Sequence, residues 1–136
     1  MKEKDSGFSI EMNYVIYASP EKVFEALTDT GIIAAWGGGI GVVENKPGGK
    51  FELFDGWASG EVLVYKPGKE LSYTWRPSEW DKKTPSSTAS FLFKTHAAGT
   101  EIILNHTQFP SVQEATKHKD GWIDFVFEPL NEYFTA

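Results

Sequence analysis

Phe8-Ser9-Ile10-Glu11-Met12-Asn13-Tyr14-Val15-Ile16-Tyr17-Ala18-Ser19-Pro20-Glu21 contains a change of period that decides the fold. Phe8, Ile10, Met12, Tyr14 and Ile16 are apolar at every second place, with Ser9, Glu11 and Asn13 between them. Side chains alternate across a strand, so period two predicts a strand over residues 8–17 with one buried face. Ser19-Pro20-Glu21 then predicts a helix start. The serine can cap the first turn, proline suits the first helical position, and the carboxylate complements the positive end of the helix dipole.

Downstream, Val23, Phe24 and Leu27 fall on one face of that helix. Asp29 is placed to cap a second short helix carrying Ile32, Ile33 and Trp36, and the glycine run Gly37-Gly38-Gly39-Ile40-Gly41 leads out of it. Turn signals then separate short apolar runs at 42–43, 51–54, 57–65, 71–75, 87–95 and 100–107. A longer charged loop, 76–85, carries Trp80, expected on the surface. Short connections make successive strands antiparallel. Phe109-Pro110 ends the strands, and 111–134 reads as one helix with Trp122, Phe125 or Val126, Leu130 and Tyr133 on one face. Gly121 weakens it by about 1 kcal/mol relative to Ala. Pro129 lacks a backbone donor and predicts a kink near Phe125. The fold class is α+β: a curved antiparallel sheet of six to seven strands wrapped around a long C-terminal helix, with two short helices after the first strand.

The length, 136 residues, predicts a single domain over 1–136. Five Trp, five Tyr and ten Phe supply a large core and argue against disorder. The chain has no Cys, which excludes disulfides, thiolate metal sites and a Cys nucleophile. A net charge of -6 disfavours nucleic acid and anionic membranes as partners. No apolar stretch approaches the roughly 20 residues that span a bilayer. Residues 1–7 are charged and lead into no signal-type segment. A cytoplasmic setting is the expectation.

The order of elements resembles the helix-grip fold of the START-like (SRPBCC) superfamily. Within it the chain is most similar to the family named after the activator of the heat-shock protein 90 ATPase. The resemblance is carried by Tyr17-Ala18-Ser19-Pro20-Glu21-Lys22-Val23-Phe24, by Gly48-Gly49-Lys50-Phe51, and by Gly60-Glu61-Val62-Leu63 through Leu71-Ser72-Tyr73-Thr74-Trp75. Gly99-Thr100-Glu101-Ile102-Ile103-Leu104-Asn105-His106 and Gly121-Trp122 complete it. It implies an apolar cavity between the sheet and the long helix. It names no ligand.

Few residues suggest chemistry. The glycine run is followed by Val42-Val43 and lacks the Lys-Ser or Lys-Thr of a phosphate loop, so it reads as a connection, with freedom to open a cavity mouth. His96, His106 and His118 have no metal-ligand spacing. His96 reads as a solvated turn residue and His118, between Lys117 and Lys119, as a surface one. His106 shares parity with Ile102 and Leu104. It is either a hydrogen-bonded core histidine or a polar group on a cavity wall. Asp55 reads as a turn residue, with an inward orientation as the alternative, and Glu61 as solvent-facing. No nucleophile, acid and base assemble, and no catalytic residue, cofactor or metal is expected.

The aromatic residues are the largest signal. Leu71, Tyr73 and Trp75 share one strand face, and Ala89, Phe91 and Phe93 another. Tyr14, Phe51, Tyr73, Trp75, Phe91, Phe93, His106 and Trp122 are the candidate cavity residues, with plain core as the alternative. The expected function is non-enzymatic binding of a small apolar molecule. The alternatives are a co-chaperone-like protein-interaction module with a chaperone partner and, less favoured, a cavity enzyme such as a cyclase or hydrolase.

Overall fold

The structure is a computed structural model in which residues 8–136 are described; the charged segment 1–7 lies outside the described residues. β1 (Phe8–Ile16) is followed by α1 (Pro20–Thr28) and α2 (Thr30–Trp36). The strands β2 (Val42–Val43), β3 (Lys50–Leu53), β4 (Ala58–Lys66), β5 (Glu70–Pro77), β6 (Ser87–His96) and β7 (Gly99–Phe109) come next. The C-terminal helix runs as α3 (Val112–Gly121), a π-helical stretch Trp122–Phe127, and α4 (Glu128–Thr135).

All seven strands form one antiparallel sheet in the order β1-β7-β6-β5-β4-β3-β2. Consecutive strands are neighbours from β2 to β7, as their short turns require. Only β1, separated by the two helices, crosses over to pair with β7. This is the α+β helix-grip architecture expected from the order of elements.

Local chemistry fixes the helix starts. Ser19 Oγ accepts from Lys22 N at 3.4 Å, Asp29 Oδ1 from Ile32 N at 3.0 Å, and Ser111 Oγ from Glu114 N at 3.1 Å. Each satisfies a backbone N–H that the first helical turn leaves open. Trp36 Nε1 donates to the Ala26 carbonyl at 2.7 Å and ties α2 to α1.

Strand parity delivers the inner face as the sequence predicts. Leu71, Tyr73 and Trp75, Ala89, Phe91 and Phe93, and Ile102, Leu104 and His106 are all buried. The C-terminal helix lies across them. Its Trp122 packs on Trp75 at 4.9 Å and Phe91 at 5.4 Å between ring centres, while Phe127 stacks on Tyr14 at 5.2 Å.

The helix keeps Trp122, Val126 and Leu130 on the buried face read from the sequence, and departs from that reading at Tyr133 and at Phe125, the alternative to Val126. Trp122, Val126, Phe127 and Leu130 are buried, but Phe125 and Tyr133 face solvent. A residue eight places on in an α-helix is rotated about 80° from its start. The wide π turn absorbs one extra residue, so Trp122 and Leu130 both reach the core, while Phe125 and Tyr133, three places after each, point outward. This π turn occupies the stretch around Phe125 where the sequence predicts a kink. Pro129, which has no backbone N–H to donate, follows it within the same continuous helix, and the residues before it are already helical.

Candidate functional site

The β3–β4 hairpin builds one wall of the candidate site. Phe54, Asp55 and Gly56 have φ of 55°, 60° and 87°, three left-handed residues in succession. A bulky aromatic at such a φ is disfavoured by roughly 1–2 kcal/mol, and the glycine run holds it there. Phe54 N donates to the Gly38 carbonyl at 2.8 Å and Asp55 N to the Ile40 carbonyl at 3.0 Å. Asp55 Oδ1 accepts from Ile40 N at 2.8 Å. Asp55 is thus a turn residue that clamps the 37–41 segment, and the run is docked on the hairpin.

The clamped hairpin presents Phe54 and Trp57 to the C-terminal helix. Between them lies a cavity of about 190 Å³. Its walls are Phe54, Trp57 and Trp75 from the sheet, and Lys117, His118, Gly121, Trp122, Phe125 and Val126 from the helix. The ring planes of Trp57 and Trp75 stand at 77°, with centres 6.1 Å apart, and Trp57 stacks on His118.

Behind this wall runs a chain of hydrogen bonds that fixes both buried histidines. Trp122 Nε1 donates to His106 Nδ1 at 3.0 Å. An indole nitrogen can only donate, so His106 Nδ1 is the acceptor and the ring proton sits on Nε2. That proton is directed at Ser87 Oγ, 2.8 Å away, and the Ser87 hydroxyl donates to the Trp75 carbonyl at 2.9 Å. Trp75 Nε1 then donates to His118 Nε2 at 3.0 Å. His118 must therefore be protonated on Nδ1, which donates to the Glu114 carbonyl at 2.9 Å.

Both imidazoles are neutral by this logic. Burial pushes the His106 pKa well below its ordinary value, with His118 adding to the effect, and burial likewise lowers His118. Burial alone would raise the Glu114 carboxyl, but hydrogen bonds from Trp80 and Lys117 outweigh it and hold the group below its usual range. Neither histidine keeps a free lone pair for a substrate proton. Among the described residues no group of three or more His, Asp or Glu side chains could hold a metal ion.

The candidate residues read from the sequence separate into two sets. Trp75 and Trp122 line the cavity. Phe51, Tyr73, Phe91, Phe93 and His106 are buried core around it, with Phe51 stacked on Tyr73 at 3.7 Å and His106 one layer behind Trp122. Tyr14 is half-buried against Phe127, away from the cavity.

Two expectations are corrected. His118 is not a surface residue: it is 6% exposed and forms part of the wall, because Ala115, His118 and Trp122 repeat at helical spacing and face the sheet together. Trp80 is not a free surface aromatic. Its Nε1 donates to Glu114 Oε1 at 2.8 Å, and its ring lies 6.0 Å from that of His118. Phe54, Trp57, Lys117, Gly121, Phe125 and Val126 were not singled out for the cavity. The signal for Gly121 was its position inside a helix, where glycine is disfavoured.

Comparison with known proteins agrees with the fold. A curated human relative, Activator of 90 kDa heat shock protein ATPase homolog 1, is 26% identical over 125 residues. The match takes in 92% of this chain and 36% of the relative, so the chain spans about a third of that protein's length. The crystal structure of an HSP90 activator from Plasmodium falciparum superposes with a TM-score of 0.82 at 25% identity, covering 95% of this chain and 97% of that one. A Mesorhizobium loti protein of known structure gives 0.80 at 26% identity, covering 94% and 97%. No helix among the described residues is long and apolar enough to cross a membrane. Residues 17–135 match the family model described as Activator of Hsp90 ATPase homolog 1-like protein, and the chain belongs to that family.

Proposed function

We propose that the protein binds a small, largely apolar molecule in the cavity between the β3–β4 hairpin, β5 and the C-terminal helix. The observation that carries this reading is the 190 Å³ space itself, walled by three tryptophans and two phenylalanines. The space opens to solvent beside the exposed Lys117 and Phe125, so water meets its apolar walls, and an apolar ligand that covers them removes that surface from water. Removal of ligand surface from water would supply roughly 25 cal/mol per Å². The engaged histidines fit binding better than catalysis, since each already uses both ring nitrogens.

Family membership favours a second reading, a chaperone-binding module. It draws on the human relative named for ATPase activation and on the Plasmodium HSP90 activator, which matches over nearly its whole chain.

Native mass spectrometry of the protein purified from its own host tests the two readings. A co-purifying apolar small molecule supports the first, and a co-purifying chaperone the second. A chain that carries no small molecule and gives no saturable titration with the dye ANS overturns the first.

A further inference from the structure

We infer that the cavity takes a single neutral aromatic ring without polar groups on its inserted part, and that Gly121 is the residue that keeps room for it. The inference rests on the apolar-ligand reading and names the class of ligand.

Gly121 is the starting point. Its backbone is ordinary right-handed helix, with φ of -64° and ψ of -39°. A Cβ placed there would meet nothing nearer than Phe125 Cδ2 at 3.9 Å, an ordinary contact. Neither conformation nor close packing calls for glycine at this point, and glycine inside a helix is disfavoured relative to alanine. Gly121 does line the cavity. The missing side chain is therefore ligand space.

The walls define what fits. The volume, about 190 Å³, is close to the roughly 150 Å³ of an apolar cavity that admits benzene. Trp57 and Trp75 meet at 77°, so an inserted ring can lie face-on to one and edge-on to the other, the two favoured aromatic arrangements. The wall's polar hydrogens are engaged elsewhere. Trp57 Nε1 donates to Glu79 Oε1 at 2.7 Å, Trp75 Nε1 to His118, Trp122 Nε1 to His106, and His118 Nδ1 to the Glu114 carbonyl. A ligand hydroxyl pushed among them finds no partner. Lys117, paired with Glu114 at 3.3 Å and 62% exposed, marks the solvent end, where a polar substituent can remain hydrated.

Three disk-shaped probes of matched outline test this on the intact chain: p-xylene, 1,4-dimethylcyclohexane and 1,4-benzenediol. The readout is the indole N–H resonances of Trp57, Trp75 and Trp122. We expect p-xylene to shift them saturably. Dimethylcyclohexane, which lacks the π faces, should bind roughly threefold to tenfold more weakly. Benzenediol cannot keep both hydroxyls out and should bind about tenfold or more weakly. Gly121→Leu should abolish p-xylene binding while keeping the native spectrum, and Gly121→Ala, the milder change, should weaken it. Equal affinity for p-xylene and either other probe overturns the aromatic assignment and leaves the apolar-ligand reading standing. Unchanged p-xylene binding in both folded variants overturns the role of Gly121. Failure of all three probes overturns the inference and counts against the broader reading as well.

Discussion

Trp75 on β5 and His118 on α3, 43 residues apart in sequence, share a hydrogen bond of 3.0 Å in which the indole donates and the imidazole accepts. Trp122 and His106 repeat the pairing with the direction reversed, from helix to sheet. The helix and the sheet each contribute one tryptophan donor and one histidine acceptor. The register of the helix is thereby fixed by chemistry as well as by shape, since a shifted helix would leave two buried indole donors without acceptors.

His118→Ala should destabilise the fold. It leaves the Trp75 N–H unpaired beside an apolar cavity, at a cost of about 1–3 kcal/mol. It also removes ring packing against Trp57 and Phe109, whose centres lie 6.3 Å and 4.7 Å away. Urea denaturation at pH 7.5 measures the loss. A change within the range of ordinary surface substitutions, about 0.5 kcal/mol, would show that the bond does not hold the helix.

Stability should fall as pH drops below about 6.5, the ordinary histidine value. Both His106 and His118 have lowered pKa values in the folded chain, so the unfolded chain binds protons first on acidification. Stability is then greater on the alkaline side, with a slope of up to about 1.4 kcal/mol per pH unit for each histidine. Thermal melts between pH 7.5 and 5.5 read the slope. His118→Gln should reduce it, and an unchanged slope would contradict the neutral, buried state of His118.

Trp122→Ala should cost about 3–5 kcal/mol, the range for truncating a buried large aromatic. It empties a core position against Trp75 and Phe91 and removes the donor to His106. Phe125→Ala, three residues on and 64% exposed, should stay within about 0.5 kcal/mol. Paired denaturation curves make the comparison. Similar losses in the two variants would mean that the π turn does not set the facing of this helix.

Gly60→Ala should impair folding outright. A Cβ at this position of β4 would lie 2.0 Å from the Thr74 carbonyl oxygen on β5. Strand backbones cannot separate there without breaking the Glu61 N to Thr74 Oγ1 hydrogen bond of 2.8 Å. A loss at or above the roughly 1–3 kcal/mol typical of overpacking is expected. A soluble, fully stable variant would show that the β4–β5 pair closes less tightly than it does here.

Much of the fold was legible because burial in a strand follows parity. Leu71, Tyr73 and Trp75 could only go in together, and the caps Ser19 and Asp29 stand where short side-chain acceptors at helix starts belong. The site was less legible. Parity says that Tyr73 and Phe91 face inward, but not that Phe51 fills the space above Tyr73 while the space beside Trp57 stays open. His118 was misplaced because its neighbours Lys117 and Lys119 suggest water, whereas the spacing from Ala115 to Trp122 carries the stronger signal. Trp122, Val126 and Leu130 are legible as one face, whereas the outward facing of Phe125 and Tyr133 is not, because a π turn breaks the 3.6-residue period of an α-helix.

The π turn from Trp122 to Phe127 also gives the C-terminal helix one residue of slack. Deletion of a solvent-facing residue such as Asp124 would let the ladder retighten into ordinary α-helix, with Trp122 and Leu130 seven places apart and still on nearly the same face. Helix length can therefore vary at this point without disturbing the strands on which it rests. The segment that would be redrawn is the one bearing Phe125 and Val126, so a change of length here would remodel the cavity and leave the scaffold in place.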